Sequence, residues 1–137
     1  MLVLATAIVL AALATGCASA TKIYVKSSAQ TNDGNTLYMV VRNVDGKPVA
    51  NEAYQEAAKK LFTDPPDPSI ISSQPVFPGN TVTITVENGD AKDVVIYFFF
   101  TAPANNNWRV PLRKPLPAEV FIDLGQNQVD RVQVRKR

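Results

Sequence analysis

The chain of 137 residues contains no histidine and a single cysteine, Cys17. The missing histidine removes every triad or dyad that uses imidazole as its base, and every His-ligated metal site. Charge of one sign is also lacking: 14 Lys and Arg face 12 Asp and Glu, a net charge of +2. That balance is too small to argue for a nucleic-acid partner. The 6 glycines are scattered and build no phosphate cradle. No internal repeat and no low-complexity segment is present.

No charged residue precedes Lys22, and residues 1–16 form an apolar run that ends in small side chains just before Cys17. This is the pattern of a bacterial lipoprotein signal. The small residues suit the processing protease, and the thiol is the point of acylation. Residues 1–16 are then removed, Cys17 carries the lipid, residues 17–21 act as a tether, and residues 22–137 form one domain. The run is shorter than the roughly 20 residues of a membrane-spanning helix and polar sequence follows at once. A cleaved secretory signal would leave an unpaired thiol in an oxidising compartment. Two departures from the usual pattern stand out: no Lys or Arg comes first, and Ala14 stands where such signals more often have Leu or Val. Once Cys17 is acylated the chain has no thiolate nucleophile or ligand. Neither catalysis nor a cofactor nor a metal is expected.

The mature sequence, 46% hydrophobic over the whole chain, reads as all-β with enough length for one core. Residues 22–26 alternate, with Ile23 and Val25 on one face and Lys22, Tyr24 and Lys26 on the other. Strands are also expected at 36–42, 81–87, 94–101, 108–113, 119–124 and 128–135. Val82, Ile84 and Val86 should face inward. The unbroken apolar run 94–100 marks the most buried strand. Turn signals fall at Asn32-Asp33-Gly34, Asp45-Gly46 and Asn88-Gly89-Asp90. One helix is expected over 51–62, with Asn51 as N-cap and a Glu56–Lys60 pair. Its apolar stripe of Ala53, Tyr54, Ala57, Ala58, Leu61 and Phe62 would pack on the body, and Asp64-Pro65-Pro66 would stop it. Prolines in 74–79 exclude a central strand there but allow an edge. The expected architecture is a two-sheet β-sandwich of about seven strands with one helical insertion.

Few constellations suggest chemistry. Asp64 and Asp67 sit between prolines without the spacing of a calcium loop, and read as a rigid connector. Ser27, Ser28, Ser72 and Ser73 have no evident base. Trp108 beside Arg109 reads as a core or corner residue, with stacking on a ligand as the alternative. The basic tail Arg131, Arg135, Lys136 and Arg137, with Asp130 beside it, reads as a solvated terminus. The polar loops 27–35, 64–73 and 102–107 are the candidate functional surface, since sandwich loops commonly carry binding.

The order of these pieces resembles the TssJ family, outer-membrane lipoproteins of the bacterial type VI secretion system. Carrying the resemblance are the cysteine followed by a short strand, the loop with Asn32-Asp33-Gly34, and the strand ending at Arg42. Further along come Leu61-Phe62 in the insertion, Pro78-Gly79, and the aromatic run Tyr97–Phe100 leading through a small-residue loop to Trp108-Arg109. After the second strand Arg42 runs into Asn43-Val44-Asp45, where the family usually has Tyr-Gln-Leu. The resemblance implies a transthyretin-like sandwich, lipid-anchored at the periplasmic face of the outer membrane. It also implies binding to the periplasmic C-terminal part of a TssM-like inner-membrane protein. The loop used for that contact falls here on Gln30, Thr31, Asn32, Asp33, Gly34 and Asn35. The alternative is a periplasmic sandwich lipoprotein that inhibits an enzyme or binds a small ligand.

Overall fold

Alternating side chains write most of this structure, a computed structural model that describes residues 19–47 and 49–137. Strand β1 (Ala20–Lys26) buries Ile23 and Val25 and exposes Lys22 and Lys26. β2 (Leu37–Asn43), β3 (Ile70–Val76), β4 (Thr81–Glu87), β5 (Val94–Phe99), β6 (Arg109–Leu112), β7 (Glu119–Leu124) and β8 (Val129–Arg135) follow. One helix, α1 (Tyr54–Leu61), lies between β2 and β3. The strands form two four-stranded sheets, ordered β4-β1-β7-β8 and β3-β2-β5-β6. All pairs are antiparallel except β1 with β7. Between the sheets lie Ile23, Val25, Ile84, Val86, Val120 and Ile122 from the first, and Leu37, Met39, Val41, Ile96 and Phe98 from the second.

The sandwich matches the expectation in kind, with eight strands rather than about seven. The additional one is β3, which takes residues 70–73 out of the loop expected over 64–73. The irregular segment around Asp64-Pro65-Pro66 ends at Ser69, and the chain returns to pair with β2. Pro75 is tolerated because β3 is an edge with no partner on its far side. The turn at Asn88-Gly89-Asp90 does not close a hairpin. It carries the chain from β4 in one sheet to β5 in the other. Gly89 is needed there because a Cβ would lie 2.6 Å from Thr21 Oγ1.

The helix begins later than expected. Residues 51–53 stay non-helical, Ala53 is extended, and its N–H donates to the Glu56 carboxylate. Asn51 is therefore not the cap, because Glu52 is drawn into a contact with the sheet. Lys60 pairs with Glu52 rather than Glu56. Of the apolar stripe, Ala57 is buried and Tyr54, Ala58 and Leu61 half-buried, whereas Phe62 is 74% exposed. A helix of 8 residues is too short to hold by itself in water, so its docking decides whether it forms.

Candidate functional site

The sandwich has two distinct ends. At one, the β1–β2 loop meets the β3–β4 turn, the β5–β6 loop and the β7–β8 turn. Ser27 Oγ donates to the Asn80 carbonyl at 2.9 Å, Asn32 N–H to the Gln126 carbonyl at 2.7 Å, and Ala104 N–H to the Asn127 carbonyl at 2.9 Å. At the other end Ser19 leads into β1, beside the 88–93 and 113–118 segments. There Gly89 N–H donates to Ser19 and Leu116 N–H to Gly89. β1 is 7 residues long, so the two ends lie roughly 20 Å apart at about 3.3 Å per residue.

The candidate loop is built as a rigid turn. Residues Thr31–Gly34 form a 3-10 turn in which Asn32, Asp33 and Gly34 all have positive φ (52°, 53° and 79°). Asn and Asp tolerate that region better than other non-glycine residues, and Gly without penalty. Thr31 and Asn32 point inward and are 0% and 2% exposed. Thr31 Oγ1 donates to the Leu124 carbonyl at 3.3 Å and accepts the Ser28 N–H at 3.0 Å. Asn32 Oδ1 accepts Thr101 N–H at 2.8 Å, while its amide donates to the Asn35 and Thr36 carbonyls. Gln126 donates to the Asp33 carboxylate. The six candidate residues thus divide: Thr31 and Asn32 hold the turn, while Gln30, Asp33, Gly34 and Asn35 stand in solvent.

Beside this loop lies an apolar surface that periodicity did not reveal. Tyr38 is 45% exposed and meets the Phe62 ring edge-on at 6.5 Å. Tyr38 pairs with Pro75 in the β2–β3 register, and Phe77, 52% exposed, follows two residues later. An exposed aromatic pair with a third exposed ring two residues beyond the Tyr38 partner has the composition of an interface centre. Phe62 closes the apolar stripe expected to pack on the body, and it meets the Tyr38 ring at the surface instead.

A second missed feature is a buried polar cluster under the insertion. Arg42, 4% exposed, donates through Nη1 to Tyr97 Oη at 3.0 Å and to both Glu52 carboxylate oxygens at 3.3 Å. Its Nε donates to Ser69 Oγ at 2.9 Å, and Ser69 in turn donates to Asp67. Tyr97 Oη donates to Glu52 at 2.6 Å, and Lys60 pairs with the same carboxylate. Burial pushes the Tyr97 hydroxyl far above its usual range, and the Glu52 charge pushes it further, so it remains a donor. Burial alone would raise the Glu52 carboxyl, but Lys60, Tyr97 and Arg42 together hold it below its usual range. Arg109 donates to the Glu52 and Ala50 carbonyls and lies 4.9 Å over the Trp108 ring. Trp108 is 3% exposed among Tyr54, Tyr97 and Phe99. It is a core residue, and this cluster is a clamp for the insertion.

The other sequence candidates are spent structurally. Asp67 accepts the Ser69 N–H and hydroxyl, and Ser27 donates to backbone carbonyls. Among the described residues, no group of three or more Cys, Asp and Glu side chains could hold a metal. No described helix is long and apolar enough to cross a membrane. The concavities are surface grooves; one of about 600 Å³ lies between the 44–50 segment and β5–β6. Residues 1–16 and Cys17 lie outside the described residues, as do Ala18 and Pro48.

Comparison with known proteins adds to this geometry. Residues 38–124, from β2 to the end of β7, match the family model described as IglE, N-terminal domain. No curated protein matches significantly. The lipoprotein TssJ1 of the type VI secretion system from Pseudomonas aeruginosa superposes with a TM-score of 0.64 at 12% identity, over 88% of this chain and 99% of that one. Serratia marcescens Lip, described as a membrane-bound component of the type VI secretion system, gives 0.62 at 14%, over 84% and 97%. A chain of the structure described as the TssM C-terminal domain (869–1107) from EAEC gives 0.64 at 19%, over 83% and 97%. The fold is TssJ-like.

Proposed function

The chain belongs to the family of the IglE N-terminal domain, and from that premise we propose that it is an assembly lipoprotein of a type VI secretion membrane complex. In this reading acylated Cys17 anchors it to the periplasmic face of the outer membrane. One acyl chain alone would hold it only reversibly, so a lasting anchor needs more than one. The far end of the sandwich binds the periplasmic C-terminal part of a TssM-like inner-membrane protein. No catalytic step is involved.

The observation that carries this reading is the layout of the two ends. The chain enters β1 at one end, while the rigid 30–35 turn and the exposed aromatics gather toward the other. A tether and a recognition surface at opposite poles suit a protein that links a membrane to a partner reaching toward it. The solved structures support the same reading. The chain matched in the structure named for the TssM C-terminal domain is 97% covered by 83% of this one. It is therefore a chain of this size, much shorter than the 869–1107 range in that name. Gln30, Asp33, Gly34 and Asn35 supply the polar contacts, Thr31 and Asn32 fix their shape, and Tyr38, Phe62 and Phe77 supply apolar area.

The test is recovery of a TssM-like protein from detergent-solubilised membranes with the lipoprotein as bait. Substituting Gln30 and Asn35 by Ala together with Asp33→Asn, which keeps a residue tolerant of the positive φ, should cut recovery by roughly tenfold or more, the range of interface hot spots, with the melting temperature little changed. Undiminished recovery would remove the loop from the interface. Absence of any such partner with the unaltered chain would remove the function.

A further inference from the structure

We propose that the tether end of the sandwich is a binding face for the headgroups of anionic phospholipid, supplied by the bilayer that holds the anchor. The proposal rests on the reading of Cys17 as the anchor point. Ser19 leads into β1 at this end, and two residues of chain reach at most about 7 Å. Lipid on Cys17 would therefore bring the bilayer surface against whatever this end presents.

What it presents is cationic around an apolar groove. The groove, about 470 Å³, is lined by Leu112, Pro115, Leu116, Pro117 and Val134, with Lys136 and Arg137 at its rim. Arg113 follows Leu112, is exposed, and lines the neighbouring groove with Pro111 and Lys47, at the same end of the sandwich. Arg137 bends back over the start of β1, where its Nη2 donates to the Ala20 carbonyl at 2.7 Å and to Thr21 Oγ1 at 3.4 Å. Its guanidinium keeps further donors for a phosphate. The tail that reads in sequence as a solvated terminus is thus folded onto the place where the tether emerges.

Arg113, Lys136 and Arg137 make no ion pair among the described residues, whereas Arg135 is neutralised by Glu119 and Lys114 by Asp45 at 3.9 Å. Two of the other acids nearby are committed. Asp93 accepts the Lys114 N–H at 2.8 Å, and Asp45 accepts the Asp93 N–H. Glu87 and Asp90 also stand at this end, Glu87 paired with Ala20 across β1–β4 and Asp90 N–H donating to Ser19 Oγ at 3.0 Å, and they are outnumbered by Lys92, Arg113, Lys136 and Arg137. An apolar floor with unpaired cations at its rim fits a phosphate-bearing headgroup and the glycerol region behind it. Each Lys or Arg against an anionic surface strengthens contact by roughly fivefold, and salt screens the effect.

The experiment places the full chain in nanodiscs of phosphatidylcholine, alone or mixed with phosphatidylglycerol, and follows hydrogen exchange. Phosphatidylglycerol should slow exchange in peptides covering 112–117 and 132–137, leave 30–35 unchanged, and lose its effect in high salt. Reversing Arg113, Lys136 and Arg137 to Glu should abolish the difference. Lys136→Gln alone, at a side chain that makes no hydrogen bond among the described residues, should weaken it by about fivefold. Equal exchange in both lipids, or protection that survives reversal, overturns the proposal. The mass of the N-terminal peptide reports the anchor separately. An acylated chain with lipid-independent exchange keeps the anchor and loses the headgroup face. An unacylated chain protected only by phosphatidylglycerol does the reverse.

Discussion

The two sheets share a core but differ in what covers their other faces. The β4-β1-β7-β8 sheet leaves its outer face to water, with Lys22, Lys26, Thr83 and Thr85 exposed and Tyr24 stacked on Phe121 at 5.0 Å. The β3-β2-β5-β6 sheet is covered by the insertion over most of its outer face, where Arg42, Tyr97 and Trp108 are buried with Glu52. The same kinds of side chain, aromatic rings and Arg–carboxylate pairs, therefore sit on both faces at different depths. Depth decides their worth, because water competes for the exposed pairs and not for the buried ones.

The largest expected effect comes from the rings. Trp108→Ala removes the centre of the Tyr54–Tyr97–Phe99 cluster and should cost about 3–5 kcal/mol in urea unfolding. Phe121→Ala, on the open sheet, removes a half-buried ring and should cost about 1 kcal/mol. Equal losses would mean that the insertion does not seal its sheet.

Next comes the clamp. Glu52→Ala leaves the Arg42 guanidinium buried without its countercharge and should cost about 3 kcal/mol. Because Glu52 titrates below its usual range when folded, its contribution is complete above the unfolded value near 4.5. It is lost as pH falls through the lower folded value. The unaltered protein should therefore lose stability on acidification below about pH 4.5, and Glu52→Ala should show a shallower acid limb. Parallel limbs in the two proteins would separate Glu52 from the acid response.

The contrast between sheets also separates what was legible in sequence from what was not. Wherever one face meets the core and the other meets water, period-two alternation wrote the strand plainly, as in β1 and β4. The apolar run of β5 announced a strand covered on both sides. The covering itself was not legible. Arg42 reads only as the end of a strand and Lys60 as the partner of Glu56, because nothing local says that 10 residues of chain fold back to bring Glu52 to Arg42. The prolines and serines of β3 masked an edge strand, since its one-sided pairing with β2 leaves them room. In the 30–35 loop the Asn-Asp-Gly signal gave the turn but not its inward-pointing half. The partners of Thr31 and Asn32 at Leu124, Thr101 and Gln126 lie 69 to 94 residues further along.

The smallest effect is the sharpest use of the comparison, because it repeats one residue type at the exposed depth. Arg135 pairs with Glu119 across the open sheet and lies 5.8 Å over the Phe121 ring. Its geometry is as good as that of Arg42, yet its side chain is 70% exposed against 4%. Freed Glu119 would simply be hydrated, and the long side chain of Arg135 would regain its rotamers. Arg135→Ala should therefore cost less than about 1 kcal/mol, and added salt should shrink the difference further. A loss near that of Glu52→Ala would show that the outer face of the open sheet is shielded from water in solution.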